Sequence, residues 1–353
     1  MKVLIIGNML KPTFDLDALG GMERSFSNFM ELILRKSRDF EAVEFLIPSL
    51  KWSNYSPHKN VSFFKSHIEE NECPEKYIKF GDGKSKWDHL LNDKNIFNSI
   101  TSYSGRIDLI HDQSSSTVPA LIGKILKVPV VKTVRLPSFH PSTALVWDDL
   151  AGKIFLSKYQ IDSYTHGKLG VFDVIPDIYI PVSSLPCNTK NGRAVSVGRI
   201  EIRKGILEVC RIAASLGKQV DFIGEIIDES LVYEIKEKYG EMALFWGPMG
   251  IEKVHKAIAD SDVLIWAPLF PEPGGRVVIE ALKLGTKVYA KPIGYAADIY
   301  SSLKKIKLSD EESDILTNHN CVLLNSSDLI VTESAETLYL EKHINLYQKL
   351  IRR

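Results

Sequence analysis

Short, wholly apolar runs recur along the chain, and each gives way to a glycine or polar turn and then to apolar positions three and four apart. Residues 2–7, KVLIIG, open the series; a run without alternation reads as a strand buried on both faces. After a polar loop and Gly20-Gly21-Met22-Glu23, a helical period runs through Phe26, Phe29, Met30, Ile33 and Leu34. Residues 44–47, 108–111 (DLIH), 128–134 (VPVVKTV), 153–157 (KIFLS) and 173–178 (DVIPDI) supply further strands, with a turn and helix in DQSSSTVPALIGKIL after DLIH. Residues 180–192, IPVSSLPCNTKNG, lose the period and carry prolines among small polar residues, the composition of a linker. Beyond it AVSVG, VDFIG, ALFWG and the VLIWA core of DSDVLIWAPLF read as strands, alternating with helical stretches, among them 229–238 and 251–260. Strand–helix alternation on both sides of a linker predicts an α/β chain with two Rossmann-like, doubly wound parallel sheets. Residues 50–105, polar, aromatic and turn-rich, yield no clear element. The tail, 334–353, has helical spacing through Leu338, His343, Leu346 and Leu350.

A length of 353 residues fits two domains, divided here as 1–182 and 183–333, with the tail helix at 334–353. Lys plus Arg equals Asp plus Glu, 44 each, which argues against a general nucleic-acid binder. The four cysteines are scattered without CxxC spacing, so neither a zinc site nor a disulfide framework is expected and a reducing cytoplasm is the simplest home. The N-terminus has no signal-peptide pattern, and no apolar run approaches the roughly 20 residues of a membrane helix.

The chemistry concentrates in PEPGGRVVIEALKLG, residues 271–285. It follows a buried strand, places Gly274 and Gly275 in the turn, and continues as a helix. Such an arrangement offers free backbone N–H groups and a positive dipole end to phosphate or sugar oxygens. Two carboxylates beside a phosphate would repel it, so Glu272 and Glu280 suit neutral hydroxyls; a solvated glutamate and a helix-start glutamate are the plainer reading. Arg199 and Lys204, in VGRIEIRKG, flank another strand–helix turn, where cations can neutralise a diphosphate. The N-terminal glycine pair is not the dinucleotide fingerprint G-x-G-x-x-G. Asp15-Leu16-Asp17 spells a D-x-D metal motif but precedes no suitable strand and reads as loop.

PEPGGRVVIEALKLGTKVYA resembles the E-x7-E signature of retaining glycosyltransferases of the GT-B fold, in particular glycosyltransferase family 4, matching at Glu272, Pro273, Gly275, Glu280, Ala281, Gly285 and Val288, with Lys287 where proline is usual. VGRIEIRKG is similar to the family's phosphate-binding G-R-l-x-x-x-K-G, and GGMERS to its G-G-x-E. DLIHDQ resembles D-V-V-H-x-H, with Gln113 in place of the second histidine. Arg135 stands where relatives often carry histidine. The resemblance covers nearly the whole chain. It implies two domains facing across a cleft, an N-terminal acceptor domain, a C-terminal donor domain, and a tail helix crossing back onto the first.

By the same resemblance the protein is a retaining, metal-independent hexosyltransferase without a cofactor, using a nucleotide sugar such as a UDP- or GDP-hexose. Arg199 and Lys204 hold the donor phosphates, Glu280 the ribose and Glu272 the transferred sugar. Gly20, Gly21, Gly274, Gly275, Arg276 and Val277 are further donor contacts, and His111, Gln113 and Arg135 candidate sugar or acceptor contacts. The acceptor is a glycan, a lipid-linked molecule or a small molecule. A basic cluster at Lys304, Lys305 and Lys307 would serve contact with the inner face of a membrane, a solvated surface being the plainer reading. Alternatives are a sugar-nucleotide epimerase of similar fold, and a non-catalytic binder or scaffold with a decayed site.

Overall fold

A computed structural model of the chain describes residues 1–9, 21–49, 59–66, 83–135, 144–162, 169–179, 190–302, 309–325 and 334–352. Seven parallel strands form the first sheet: β1 Lys2–Ile6, β2 Glu44–Ser49, β3 Val61–Lys65, β4 Leu109–Asp112, β5 Val130–Val134, β6 Gly152–Phe155 and β7 Val171–Val174, in the order β3-β2-β1-β4-β5-β6-β7. Six form the second: β8 Ala194–Val197, β9 Val220–Ile223, β10 Ala243–Phe245, β11 Val263–Trp266, β12 Lys287–Ala290 and β13 Val322–Leu324, in the order β10-β9-β8-β11-β12-β13. The edge strand β13 runs antiparallel to β12. Each sheet therefore reverses its winding once, between β1 and β4 and between β8 and β11, and such a switch point leaves a crevice at the carboxyl ends of the strands.

The helices of the N-terminal half are α1 Gly21–Lys36, α2 Gly83–Ser102, α3 Val118–Leu126 and α4 Lys158–Asp162. The second half adds α5 Ile206–Ser215, α6 Glu229–Tyr239, α7 Ile251–Asp260, α8 Arg276–Lys283, α9 Tyr295–Ser302 and α10 Asp310–Asn318, and α11 Ser334–Ile351 ends the chain. They cover both faces of the sheets, which is why the strand runs carry no polar alternation. Val3 and Ile5 of β1 enter one core with α1 and α11, whereas Leu4 and Ile6 enter another with Ile96, Ile100 and Ile122. In β11, Val263 and Ile265 face one core and Leu264 and Trp266 the other.

Helix α11 returns to the first sheet, its Tyr339, Leu340, Ile344, Tyr347 and Leu350 sharing a core with Val3, Ile5 and Phe29. Leu338, which the tail's spacing assigned to the inner face, is exposed. Helices of the two halves also meet directly. Asp298 of α9 accepts the backbone N–H groups of Lys158 and Tyr159 at the start of α4. The predicted strand at 173–178 ends early: only Val171–Val174 pairs, and Ile175 to Tyr179 follow without regular secondary structure.

Candidate active site

The second sheet gathers the donor motifs at one edge. Strand β8 ends at Val197, and Gly198 and Arg199 follow; a short turn, Ile202–Lys204, leads to Gly205 and α5. Gly205 has φ +67°, and a Cβ there would lie 1.8 Å from the Ala267 carbonyl oxygen, so only glycine lets this turn pack against the end of β11. Gly224, after β9, is equally constrained: a Cβ would lie 1.9 Å from the Gly198 oxygen. Beyond β11 the chain passes Glu272 and enters α8 through Gly275, at φ +40°.

These turns enclose a cavity of about 380 Å³ whose wall includes Arg199, Lys204, Glu272, Arg276, Val277 and Glu280. Arg276 and Val277, the first residues of α8, share this wall with Arg199 and Lys204, and the first N–H groups of a helix have no partner within it. Lys204 Nζ contacts Glu272 Oε1. Burial, reinforced by neighbouring Arg199, pushes the Lys204 ammonium down to about 8. Arg199 is half-exposed and reaches Glu201 at 3.3 Å. Glu280 is buried, 2 % exposed. It accepts from Arg276 Nε at 2.6 Å, and His255 Nε2 lies 3.9 Å from the same oxygen. Burial alone would raise this carboxyl; His255 and Arg276 outweigh it and hold Glu280 below the usual glutamate range. Arg276 Nη1, also buried, has no hydrogen-bond partner among the described residues.

Sequence reasoning placed ligand contact at Gly274 and Gly275, and the structure gives both glycines another reason. A Cβ on Gly274 would come within 3.1 Å of Leu156 Cδ1 in the first domain, and one on Gly275 within 3.0 Å of the Tyr295 ring. The space beside them is filled by protein. Gly21 lines the cavity from the N-terminal domain. Gly20, the D-x-D at 15–17 and the lysines at 304, 305 and 307 lie outside the described residues.

The three candidate contacts from the first sheet are placed differently. His111 is fully buried, with Nε2 2.8 Å from Thr133 Oγ1 and Nδ1 2.7 Å from the Tyr347 hydroxyl. Both ring nitrogens are engaged within the core, and burial holds the imidazole neutral. Arg135 donates through Nη1 to both oxygens of Asp177 at 2.7 Å and through Nη2 to Gln113 Oε1 at 2.7 Å. Ser25 Oγ also donates to Asp177 at 2.7 Å. The structure therefore ties Gln113 and Arg135 to the segment that follows β7, and neither lines the cavity described above.

Sequence reasoning passed over Arg24, which reaches the same cavity from the first turn of α1, and the opposite wall of Gly224, Glu225, Pro248 and Met249. Their signal was positional: each follows a strand end, or a helix start, already recognised in VDFIG, ALFWG and GGMERS.

No protein-family model matches the sequence, and no curated protein matches it. Solved structures do. AviGT4, a glycosyltransferase involved in avilamycin A biosynthesis, superposes with a TM-score of 0.64 at 16 % identity, covering 99 % of this chain and 98 % of its own. The fold is GT-B. Sucrose-phosphate synthase from Thermosynechococcus elongatus gives 0.58 at 14 % identity over 99 % and 94 % of the two chains. Anabaena HepE, solved with UDP and glucose, gives 0.56 at 14 % over 99 % and 98 %. These similarities span both domains of the chain.

Proposed function

We propose that this protein is a retaining glycosyltransferase of the family 4 type that moves a hexose from a nucleotide sugar to an acceptor hydroxyl. The observation that carries the reading is one cavity, at the winding switch of the second sheet, holding Arg199, Lys204, the α8 N-terminus, Glu272 and Glu280 together. Cations and helix amides suit a diphosphate, and the two carboxylates suit hydroxyls on either side of it. In this reading Glu280 accepts from the ribose and Glu272 from the hexose. Anabaena HepE was also solved with UDP-glucose, and a UDP- or GDP-hexose is the donor class proposed here.

The glycosidic C1–O bond to the diphosphate breaks as the acceptor oxygen bonds to C1 on the same face. The departing phosphate oxygen takes the acceptor's proton. Arg199, Lys204 and the α8 amides stabilise the charge that builds on the leaving diphosphate, so catalysis is positioning and electrostatics without a covalent protein intermediate. Side-chain cations fill the role a metal would otherwise take. The acceptor is a glycan, lipid-linked or small-molecule hydroxyl, met from the N-terminal domain, in the cytoplasm or at a membrane's inner face. No helix among the described residues is long and apolar enough to cross a membrane.

The test is a panel of UDP- and GDP-hexoses, followed for nucleoside diphosphate release and by proton NMR of the first-formed product. One donor should be turned over, with the anomeric configuration kept. Binding without release from any donor would favour a non-catalytic binder, and an inverted product would refute the retaining assignment.

A further inference from the structure

Glu280 does not stand alone behind the cavity. On its far side lies His255, on the inner face of α7 with Ile251, Val254 and Ile258. His255 is 1 % exposed and absent from the cavity wall. Its Nε2 is 3.9 Å from Glu280 Oε1. Its ring meets Tyr179 edge-on, centroids 5.4 Å apart at 85°, with the Tyr179 hydroxyl 3.3 Å from Nδ1 and 3.4 Å from Nε2. Tyr179 is buried and belongs to the irregular segment that lies between the domains. Lys283, one turn beyond Glu280 on α8, donates to the Tyr179 carbonyl oxygen at 2.8 Å. Helix α8 and this segment are thus joined twice, once through this lysine and once through His255.

We propose that His255 is a positioning residue for Glu280, bracing its carboxylate against Tyr179 so that it faces the nucleotide's sugar. This rests on the ribose role given to Glu280 above. Arg276, the carboxylate's other partner, sits one turn earlier on the same short helix. A contact from the same helix leaves the carboxylate free to turn with that helix's side-chain rotamers. A contact from α7, itself backed by a buried phenol, fixes the oxygen from a second direction. Buried polar groups that hold a binding group's rotamer set how well it discriminates, even though they touch no ligand. The histidine also suits the task by position, since Nε2 faces the carboxylate oxygen at 3.9 Å while the hydroxyl lies within 3.4 Å of both ring nitrogens.

The experiment compares a nucleoside diphosphate with its 2′,3′-dideoxy counterpart by titration calorimetry, using whichever of UDP and GDP binds the wild type more tightly, with inorganic pyrophosphate as the reference for the phosphate end. Wild type should favour the ribonucleotide by about 10-fold or more, as expected for hydrogen bonds to a charged group. In His255→Leu that preference should collapse to within about 3-fold of unity, with pyrophosphate affinity unchanged, and His255→Gln, which keeps an amide donor, should recover most of it. A merely structural role would weaken pyrophosphate as well. Should the leucine variant not fold, Tyr179→Phe, which removes only the hydroxyl facing His255, decides by the same ratio. A preference kept in these variants overturns the brace. A wild type that does not distinguish the two nucleotides overturns the ribose role of Glu280 itself, and the brace falls with it.

Discussion

At the scale of the residue, Lys204 shows most directly how the fold prepares charge for a ligand. A lysine in water keeps its proton to about pH 10.4; here burial, and then Arg199, pushes it down to about 8. A diphosphate placed against it would favour the ammonium and move the value back up. Near pH 8 the free protein has therefore lost part of this proton and the complex regains it, so nucleoside diphosphate binding should take up protons at pH 8 and not at pH 6.5. Calorimetry in two buffers of different ionisation enthalpy measures the uptake, and Lys204→Met should abolish it; equal heats at pH 8 in wild type would refute this. The residue scale is also where sequence reading reached furthest and then stopped. Glu272, Glu280, Arg199 and Lys204 were legible because each lies a fixed step from a strand end. His111 was not, because what surrounds it is decided by Tyr347, 236 residues later in the chain.

Elements were legible where apolar periodicity is strong and hidden where a buried face is polar. Helix α2 escaped notice because its inner side carries Asn92, Asn95 and Ser99 alongside Ile96 and Ile100, all buried. Those amides work: Asn92 Oδ1 accepts from the Met9 N–H at 2.7 Å, and Asn95 Nδ2 donates to the Met9 carbonyl at 3.1 Å, fixing the exit of β1. Strand β3 lies at the edge of the first sheet and only its Val61 is fully inside, so no buried run announces it. Helix α11 was legible as a helix, but its inner face was misjudged by one position at Leu338 because tyrosines and a histidine do the packing. That histidine has a measurable consequence. His343 is buried against Phe29 and Tyr347, its Nδ1–H donating to the Tyr339 carbonyl at 2.8 Å, and burial pushes it down to about 4. His111, on β4 beneath the helix, is also held well below its usual value by burial. A histidine with a depressed folded value favours the unfolded chain in acid, because the unfolded chain binds the proton first. Stability should be full above about pH 6.5 and fall as pH drops from there toward 4, by up to about 1.4 kcal/mol per pH unit for each histidine. Urea midpoints at pH 7 and 5.5 test it. His343→Leu should flatten the slope in that window, and an unchanged slope in a folded variant would remove His343 from the account.

For the whole molecule, the winding of the second sheet brings together charges that no single motif contains. Arg199 and Lys204 follow β8, and Glu272 and the start of α8 follow β11, its neighbour in the sheet. Parallel pairing opens both turns on the same edge. Arg24 then enters the same cavity from α1 of the other domain, so a diphosphate there would meet positive charge from two turns of one sheet and from across the cleft. In the proposed reaction negative charge on the diphosphate is larger in the transition state than in the bound donor, so these cations act more on turnover than on binding. Replacing Arg199 and Lys204 together by alanine should therefore lower turnover at saturating donor by about 100-fold or more, equivalent to a few kcal/mol of transition-state stabilisation. Measuring at saturation matters, because a pure loss of donor affinity would disappear there. Turnover equal to wild type under that condition would take the leaving-group role away from both residues and leave them as binding contacts alone.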